Sequence, residues 1–456
     1  MTGVVVWCEL VLTLLRELVR ALASPLRMLC YLPFRSRWRE EALQVLGSAP
    51  PPGTAADLDA VADGLRAVAG TRRGTRPHVF VSAGEASGEG HATRLMDALA
   101  GDGIRFSCFG GDAMTRAGGT LLYPLSQHAV MGLVGVLRHL PLVVRAHARF
   151  LRLLREDPPD LAVLVDYPGL HLVMAKAARR HGVPVLHYIA PQYWAWGPWR
   201  MRRYRRSVDA TLTILPFEPR FFARFEVAAG YIGHPLLDGL AAGPVDTSTA
   251  PNHAGRPVLV VLPGSRSAEI RANLPGLVQV AARAREAVAG LRVAVVHRDE
   301  RKAATVRAML AELGAADVEV HVGPVAPWLA RARAVVAKSG TGSLEACLHG
   351  APTVVVYRLV NPLAVWGYRN LVQVPFIAAA NLVAGRAVVP EFCFHGMHHW
   401  HQVAEATVDL LRDGPTREAC LAGLREVRER LGAPGATGRV AAIVRRFLMS
   451  QTTGSP

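Results

Sequence analysis

Ala334-Val335-Val336-Ala337-Lys338-Ser339-Gly340-Thr341-Gly342-Ser343-Leu344-Glu345 passes from an apolar run through a knot of small residues toward Ala346-Cys347-Leu348-His349-Gly350. The run at 334–337 reads as a buried parallel strand, and the residues after it read as the opening of a helix. Small residues at such a turn let an anion approach the free N–H groups of a helix N-terminus. Ser339, Gly340 and Thr341 are the candidates for that contact. Glu345 falls about one turn into the helix, where a carboxylate can hold a ribose. The same residues also make a Gly/Ser helix cap with no ligand at all.

Outward from this segment the strand–turn–helix pattern repeats. Short apolar runs at 78–81, 106–109, 161–165, 184–189 and 210–215 alternate with helical stretches, the first of them predicted at about 91–100. A second series comes after the polar, Pro-containing stretch near 242–257, with runs at 257–262, 293–297, 318–322, 334–337 and 353–357. Strands alternating with helices imply parallel sheets covered on both faces. No period of 20–50 residues recurs, so the chain is not a solenoid. The expectation is an α/β chain of two facing Rossmann-like domains, at 77–245 and 256–395, with helices over 396–456. In such sheets ligands bind beyond the carboxyl ends of the strands.

With 456 residues, 51% of them hydrophobic, the chain has material for two domains and a sizeable core. The formal net charge is +16, carried by Arg, since Lys stands only at 176, 302 and 338. The excess suits nucleic acid, an anionic membrane face or phosphorylated substrates. No nucleic-acid module accompanies it. The six Cys include no C-x-x-C pair and suit neither zinc nor a disulfide scaffold; they read as reduced cytosolic thiols.

Residues 1–45 are a largely apolar leader interrupted by Glu9, Arg16, Glu17, Arg20 and Arg27, with a basic cluster at Arg35, Arg37 and Arg39. Its uninterrupted apolar runs fall short of the roughly 18–20 residues that span a bilayer, and its charges are misplaced for a secretory signal. An amphipathic helix lying in a membrane interface fits the pattern; so does a helix packed on the protein itself. Residues 46–76, with Ser48-Ala49-Pro50-Pro51-Pro52-Gly53, read as a linker.

Several polar residues fall at strand ends. Arg266, after Gly264 and Ser265, suits bidentate contact with a phosphate, or an interdomain ion pair. Asp166, followed by Tyr167-Pro168-Gly169, suits a general base or a turn Asp. Glu85 and Glu89 flank Ser87 and Gly88 in a tight loop. They are placed to bond a sugar, to take a proton, or to serve as helix-start charges. Tyr193, Trp194, Trp196 and Trp199 suit the floor of a sugar or acyl site, or a loop packed on its own domain. His395, His398, His399 and His401 cluster without Cys partners and read as a turn rather than a zinc site. Gly84, Gly88 and Gly90 miss the dinucleotide fingerprint, and no P-loop is present. No nicotinamide, ATP or other cofactor is expected.

The ordered motifs Ser-Ala-Gly-Glu-Ala-Ser-Gly (82–88), Val-Met-Gly-Leu-Val (130–134), Val-Asp-Tyr-Pro-Gly (165–169), Trp-Ala-Trp (194–196), Leu-Pro-Phe-Glu (215–218), Gly-His-Pro (233–235), Leu-Pro-Gly-Ser-Arg (262–266), Ser-Gly-Thr (339–341), Asn-Leu-Val-Ala-Gly-Arg (381–386) and Pro-Glu-Phe (390–392) resemble those of the lipid-A-disaccharide synthase family. The resemblance runs from about 78 to 395. It implies a GT-B fold and an inverting, metal-independent glycosyl transfer. UDP-2,3-diacylglucosamine would give its sugar to 2,3-diacylglucosamine 1-phosphate, yielding the β-1,6-linked disaccharide and UDP. The work would be done at the cytoplasmic face of the inner membrane; the one candidate protein partner is a second copy of the chain, in a homodimer.

Carried over, the resemblance gives Asp166 a catalytic role, with Glu89 as the alternative base. It puts Arg266, Ser339, Gly340, Thr341, Glu345, Asn381 and Glu391 on the UDP-sugar side. Gly84, Glu85, Ser87 and Gly88 fall to the acceptor. The sequence departs from the family pattern at Glu89 (usually Asp), Gly135 (usually Glu), His171 (usually Asn) and near Phe394, where a Gln is usual. The rival expectations are another UDP-sugar enzyme of the same fold, such as a 2-epimerase, or a non-catalytic sugar-nucleotide or lipid-binding relative.

Overall fold

A computed structural model describes residues 2–46, 55–68, 70, 74–126, 140–241 and 255–451. The Pro-rich stretch at 48–53, the motif at 130–134 and Gly135 lie outside the described residues. The chain divides into two compact units: Met1–Ser36, Pro50–Asp238 and Ala433–Pro456 form the first, Arg37–Ala49 and Gly239–Gly432 the second.

The first unit is built on a seven-stranded sheet. Its strands are β1 (His78–Ala83), β2 (Arg105–Phe109), β3 (Gly119–Tyr123), β4 (Leu161–Val165), β5 (Val185–Tyr188), β6 (Ala210–Thr213) and β7 (Ala228–Tyr231). Their order is β3-β2-β1-β4-β5-β6-β7, and the pairings are parallel. β1 and β4 are buried along their whole length, as strands covered on both faces must be. β3 and β7 escape the hydropathy pattern. β3 is a half-exposed edge strand, and β7 (Ala-Ala-Gly-Tyr) is poor in the branched residues that mark strands.

The stretch expected as a linker contains a helix, Ala55–Arg66, whose Val61 and Leu65 enter the same core as Val79, Val163 and Leu212. Gly64 is where it comes closest to the sheet: a Cβ there would meet that of Ala228 at 2.9 Å. The last helix, Ala436–Ser450, also joins this core, through Val440, Val444 and Phe447. Its start is fixed by Asp238, whose carboxylate accepts from the N–H groups of Gly435, Ala436 and Thr437. The helices Trp400–Leu411 and Pro415–Leu431 belong to the second unit instead.

The second unit repeats the plan with β8 (Val258–Leu262), β9 (Arg292–His297), β10 (Glu319–Val322), β11 (Ala334–Lys338), β12 (Thr353–Leu359) and β13 (Glu391–His395). The order is β10-β9-β8-β11-β12-β13, again parallel. β13, an edge strand flanked by Glu391 and His395, was not foreseen. Each sheet therefore reverses its winding between its first and fourth strands, which is the switch point where a doubly wound sheet opens for ligand.

The leader is helical at Thr2–Leu22, Ser24–Tyr31 and Arg35–Leu46. The first helix has two unlike faces. Val6 and Leu10 are buried, Glu9 pairs with Arg155 at 2.6 Å, and Glu17 pairs with Arg203 at 3.0 Å. Trp7, Leu15, Leu18, Val19 and Leu22 are exposed. One face is thus packed on the protein and the other is open to solvent. Among the described residues no helix is long and apolar enough to cross a membrane.

Candidate active site

In the first unit, β1 and β4 run side by side with Ala83 opposite Val165, so the segments that leave them start as neighbours. Gly84 is required there because the Tyr167 ring lies on its backbone; a Cβ would fall 2.2 Å from Tyr167 Cγ. The next helix begins at Ala86, not near 91. Ser87, Gly88 and Glu89 thus occupy its first turn rather than a loop. Glycines at 88 and 90 read as turn residues in the sequence, but Gly88 is where the helix passes the β4 end, and a Cβ there would meet Val165 O at 3.6 Å.

Asp166 and Tyr167 both have φ of +51°, the left-handed region that non-glycine residues seldom occupy. Burial raises the Asp166 carboxyl above its ordinary range, the Tyr167 N–H opposes that shift, and the nearby Glu85 charge adds to it. Glu89 points elsewhere. Its carboxylate accepts from Ser126 Oγ at 2.5 Å and from the Ala113 N–H at 3.2 Å, which ties it to the β2–β3 connection and to the segment that leaves β3.

Beneath Asp166 lies a polar chain that no sequence pattern announced. Its backbone carbonyl accepts from His171 Nδ1 at 2.6 Å and from His187 Nε2 at 3.1 Å. His171 Nε2 meets Ser82 Oγ at 2.8 Å, and His187 Nδ1 meets the Tyr204 hydroxyl at 2.9 Å. Tyr204 in turn meets Thr211 Oγ1 at 2.8 Å.

The aromatic patch divides. Tyr193 and Trp194 are buried, and Trp194 donates to Glu218 Oε1 at 2.8 Å. Glu218 also receives the N–H groups of Ile214 and Leu215, so the Leu-Pro-Phe-Glu motif folds back on its own strand end. Trp196 is exposed beneath the Arg200 guanidinium, and Trp199 packs on Tyr31.

In the second unit, β8 and β11 are neighbours with Leu262 opposite Ala337. Glu269, unremarked in the sequence, organises the β8 end. It accepts from the N–H groups of Ser265 and Arg266, and pairs with Arg266 Nη1 and Lys338 Nζ, both at 3.0 Å. Burial works to raise its pKa, but Lys338 and Arg266 outweigh burial and hold it low. Its spacing, three residues past the helix N-cap, is a capping-box signature. Two cations, one anion and exposed backbone N–H groups thus share one strand edge. Above Gly340 the space is open: a Cβ there would meet nothing within 4 Å.

Ser339 and Glu391 grip opposite sides of one residue. Ser339 Oγ donates to Ile377 O at 2.9 Å, while the Ile377 and Ala378 N–H groups donate to the Glu391 carboxylate. Asn381, fully buried, holds Glu391 from behind. Its Nδ2 donates to Glu391 Oε2 and Val389 O, and its Oδ1 accepts from the N–H groups of Val388 and Val389. Asn381 is therefore a brace with its polar atoms occupied. Thr341 opens the helix Thr341–Leu348, and burial raises the Glu345 carboxyl, with Arg298 Nη2 at 3.3 Å opposing the shift. Arg298, just past β9, was also missed; a single Arg at a strand end carries no spacing signal.

The histidine group begins at the carboxyl end of β13. His395 Nδ1 bonds Leu359 O, and His399 stacks near Phe394. Among the described residues no group of His, Cys, Asp and Glu is arranged to hold a metal.

Residues 79–433 match the family model for lipid-A-disaccharide synthetase. Lipid-A-disaccharide synthase of Acidobacterium capsulatum is 37% identical over 392 residues, covering 82% of this chain and 96% of that protein. The Myxococcus xanthus enzyme of the same name is 36% identical, covering 82% and 98%. Among solved structures, a UDP complex of Staphylococcus aureus MnaA aligns with a TM-score of 0.58 at 11% identity, over 83% of this chain and all of that one. A putative UDP-N-acetylglucosamine 2-epimerase of Listeria monocytogenes aligns at 0.59 and 11%, over 84% and 99%. At that identity the structural likeness speaks for the fold alone, which is of the GT-B type, with two Rossmann-like units. The sequence likeness goes further: the chain belongs to the lipid-A-disaccharide synthase family, the UDP-sugar glycosyltransferases of lipid A biosynthesis.

Proposed function

We propose that this chain transfers the diacylglucosamine of UDP-2,3-diacylglucosamine to the 6-hydroxyl of 2,3-diacylglucosamine 1-phosphate, with inversion at the anomeric carbon. In this reading the second unit holds the leaving group. Arg266, Lys338 and the N–H groups at the start of the Thr341 helix take the diphosphate, and Glu345 takes the ribose. Ser339, Glu391 and Asn381 keep the 377–378 turn in place beside them. The first unit holds the acceptor along Gly84, Glu85, Ser87 and Gly88. The Asp166 carboxylate takes the hydroxyl proton as the new C–O bond forms. The bond from the anomeric carbon to the phosphate oxygen breaks, and UDP leaves with that electron pair.

Family membership over 79–433 is the observation that carries the reading, and the half-buried Asp166 at a switch point, its carboxyl raised by desolvation, supports its choice as base. The test is incubation with UDP-diacylglucosamine, with and without the monosaccharide phosphate. Disaccharide formed only with acceptor supports the transfer. Epimerised sugar nucleotide, or no turnover, overturns it.

In the same reading the leader brings the enzyme to an anionic inner-membrane surface. Its outer face offers Trp7, Leu15, Leu18, Val19 and Leu22 to solvent, followed by exposed Leu26, Leu29 and Phe34. Arg27, Arg35 and Arg37 lie among and just beyond them. An apolar stripe flanked by Arg suits an interfacial helix on anionic lipid. Leu15→Glu combined with Leu18→Glu should abolish co-flotation with phosphatidylglycerol-containing vesicles at raised salt, where diffuse attraction is screened. Unchanged flotation overturns the assignment. So does a wild-type dimer in vesicle-free solution that the double variant dissociates, because the face would then cover a second copy.

A further inference from the structure

The first unit contains a hydrogen-bonded clamp whose directions can be assigned. A backbone carbonyl only accepts, so both imidazole nitrogens facing Asp166 O, His171 Nδ1 and His187 Nε2, must carry protons. Burial holds both histidines neutral, His171 down to about 3 and His187 to about 4. Each ring then has one N–H, and its other nitrogen accepts. Ser82 must donate to His171 Nε2, Tyr204 to His187 Nδ1, and Thr211 to Tyr204. Each hydroxyl has its proton committed and each ring has one tautomer. The carbonyl they meet belongs to a residue with φ of +51°, followed by another at +51°.

Two adjacent non-glycine residues in that region persist only where the surroundings hold them. Here the two imidazole donors converge on the one carbonyl between the strand and the turn. We infer that His171 and His187 are positioning residues for the proposed base: they fix the Asp166 carbonyl, hence the left-handed turn, hence the direction in which its carboxylate leaves the sheet. Neither ring contacts substrate in this scheme. The inference rests on the reading of Asp166 as base.

The test uses the full-length enzyme. His171→Leu removes the donor, whereas His171→Asn restores one, because the Asn amide nitrogen stands as many bonds from Cα as Nδ1 does. A misplaced base should lower kcat by roughly 10²-fold with KM for the UDP-sugar near its wild-type value, and His171→Asn should recover most of the loss. In an Asp166→Asn background the Leu substitution should cost nothing further, since the group being aimed is already gone. Ser82→Ala serves if the Leu variant does not fold. It deletes only the hydroxyl that fixes the tautomer, and should lower kcat several-fold at constant KM.

A folded His171→Leu enzyme with normal kcat overturns the clamp, as does an equal loss with and without Asp166. If His171→Leu is unfolded, normal kcat in Ser82→Ala overturns it. Wild-type turnover in Asp166→Asn itself strikes the base assignment instead, so the two failures are distinguishable.

Discussion

The two switch points share one strand order and differ in what lines them. The edge of β1 and β4 carries carboxyl groups: Glu85, Glu89 and a half-buried Asp166 set on neutral imidazoles. The edge of β8 and β11 carries Arg266 and Lys338 around Glu269, with a helix N-terminus beside them. One topology therefore places a carboxyl-lined edge in one unit and a cation-lined edge in the other, which the proposed reaction uses as proton acceptor and anion cradle. A sheet of this kind supplies a position, and the residues that end its strands decide the chemistry.

The largest effect that separates the two edges should come from Asp166→Asn. It preserves shape and removes basicity, so kcat should fall by about 10²–10⁴-fold, the usual worth of a general base. As the proposed base Asp166 must be ionised, and desolvation raises its pKa. Turnover should therefore rise with pH along a limb lying above the ordinary Asp value of about 3.9 and then level off. Asp166→Asn should erase that limb. Glu89→Gln, which disturbs bonds to Ser126 and Ala113, should leave the limb in place. A kinetic assay in which Glu89→Gln abolishes turnover and Asp166→Asn does not would exchange their roles.

On the other edge, Asn381→Ala would strand the buried N–H groups of Val388 and Val389. Each stranded donor costs about 1–3 kcal/mol, so denaturant unfolding should register a clear loss of stability together with weaker UDP binding. Arg266→Ala should be milder for the fold, because its guanidinium is half exposed. It should cost about ten- to a hundredfold in UDP affinity, the worth of one charge-assisted bond of roughly 1.5–3 kcal/mol. Unchanged affinity in a folded variant would remove Arg266 from the nucleotide site.

Legibility in the sequence tracked burial. Strands covered on both faces, such as 161–165 and 334–337, announce themselves as apolar runs, and the polar residues after them mark the ligand edge. β3, β7 and β13 were invisible because none carries a branched apolar run: β3 opens on Gly119-Thr120, β7 is Ala-Ala-Gly-Tyr, and β13 is bounded by Glu391 and His395. The helix at 55–66 was hidden by its Pro-rich neighbourhood. The site was legible where spacing is local, as at Ser339–Glu345. It was not legible where partners are joined only by the fold: Glu269 with Lys338, Ser339 with Glu391 through Ile377, or Asp166 with His187. The same limit applies to the leader, whose packed face is set by partners far off in sequence, Arg155 for Glu9 and Arg203 for Glu17.

The division of labour between the edges is tested most directly by calorimetric UDP titration of Asp166→Asn and Arg266→Ala beside the wild-type enzyme. Asp166→Asn should keep wild-type UDP affinity despite its lost turnover, and Arg266→Ala should bind UDP about ten- to a hundredfold more weakly. Equal weakening in both variants, or weakening in Asp166→Asn alone, would contradict that division of labour.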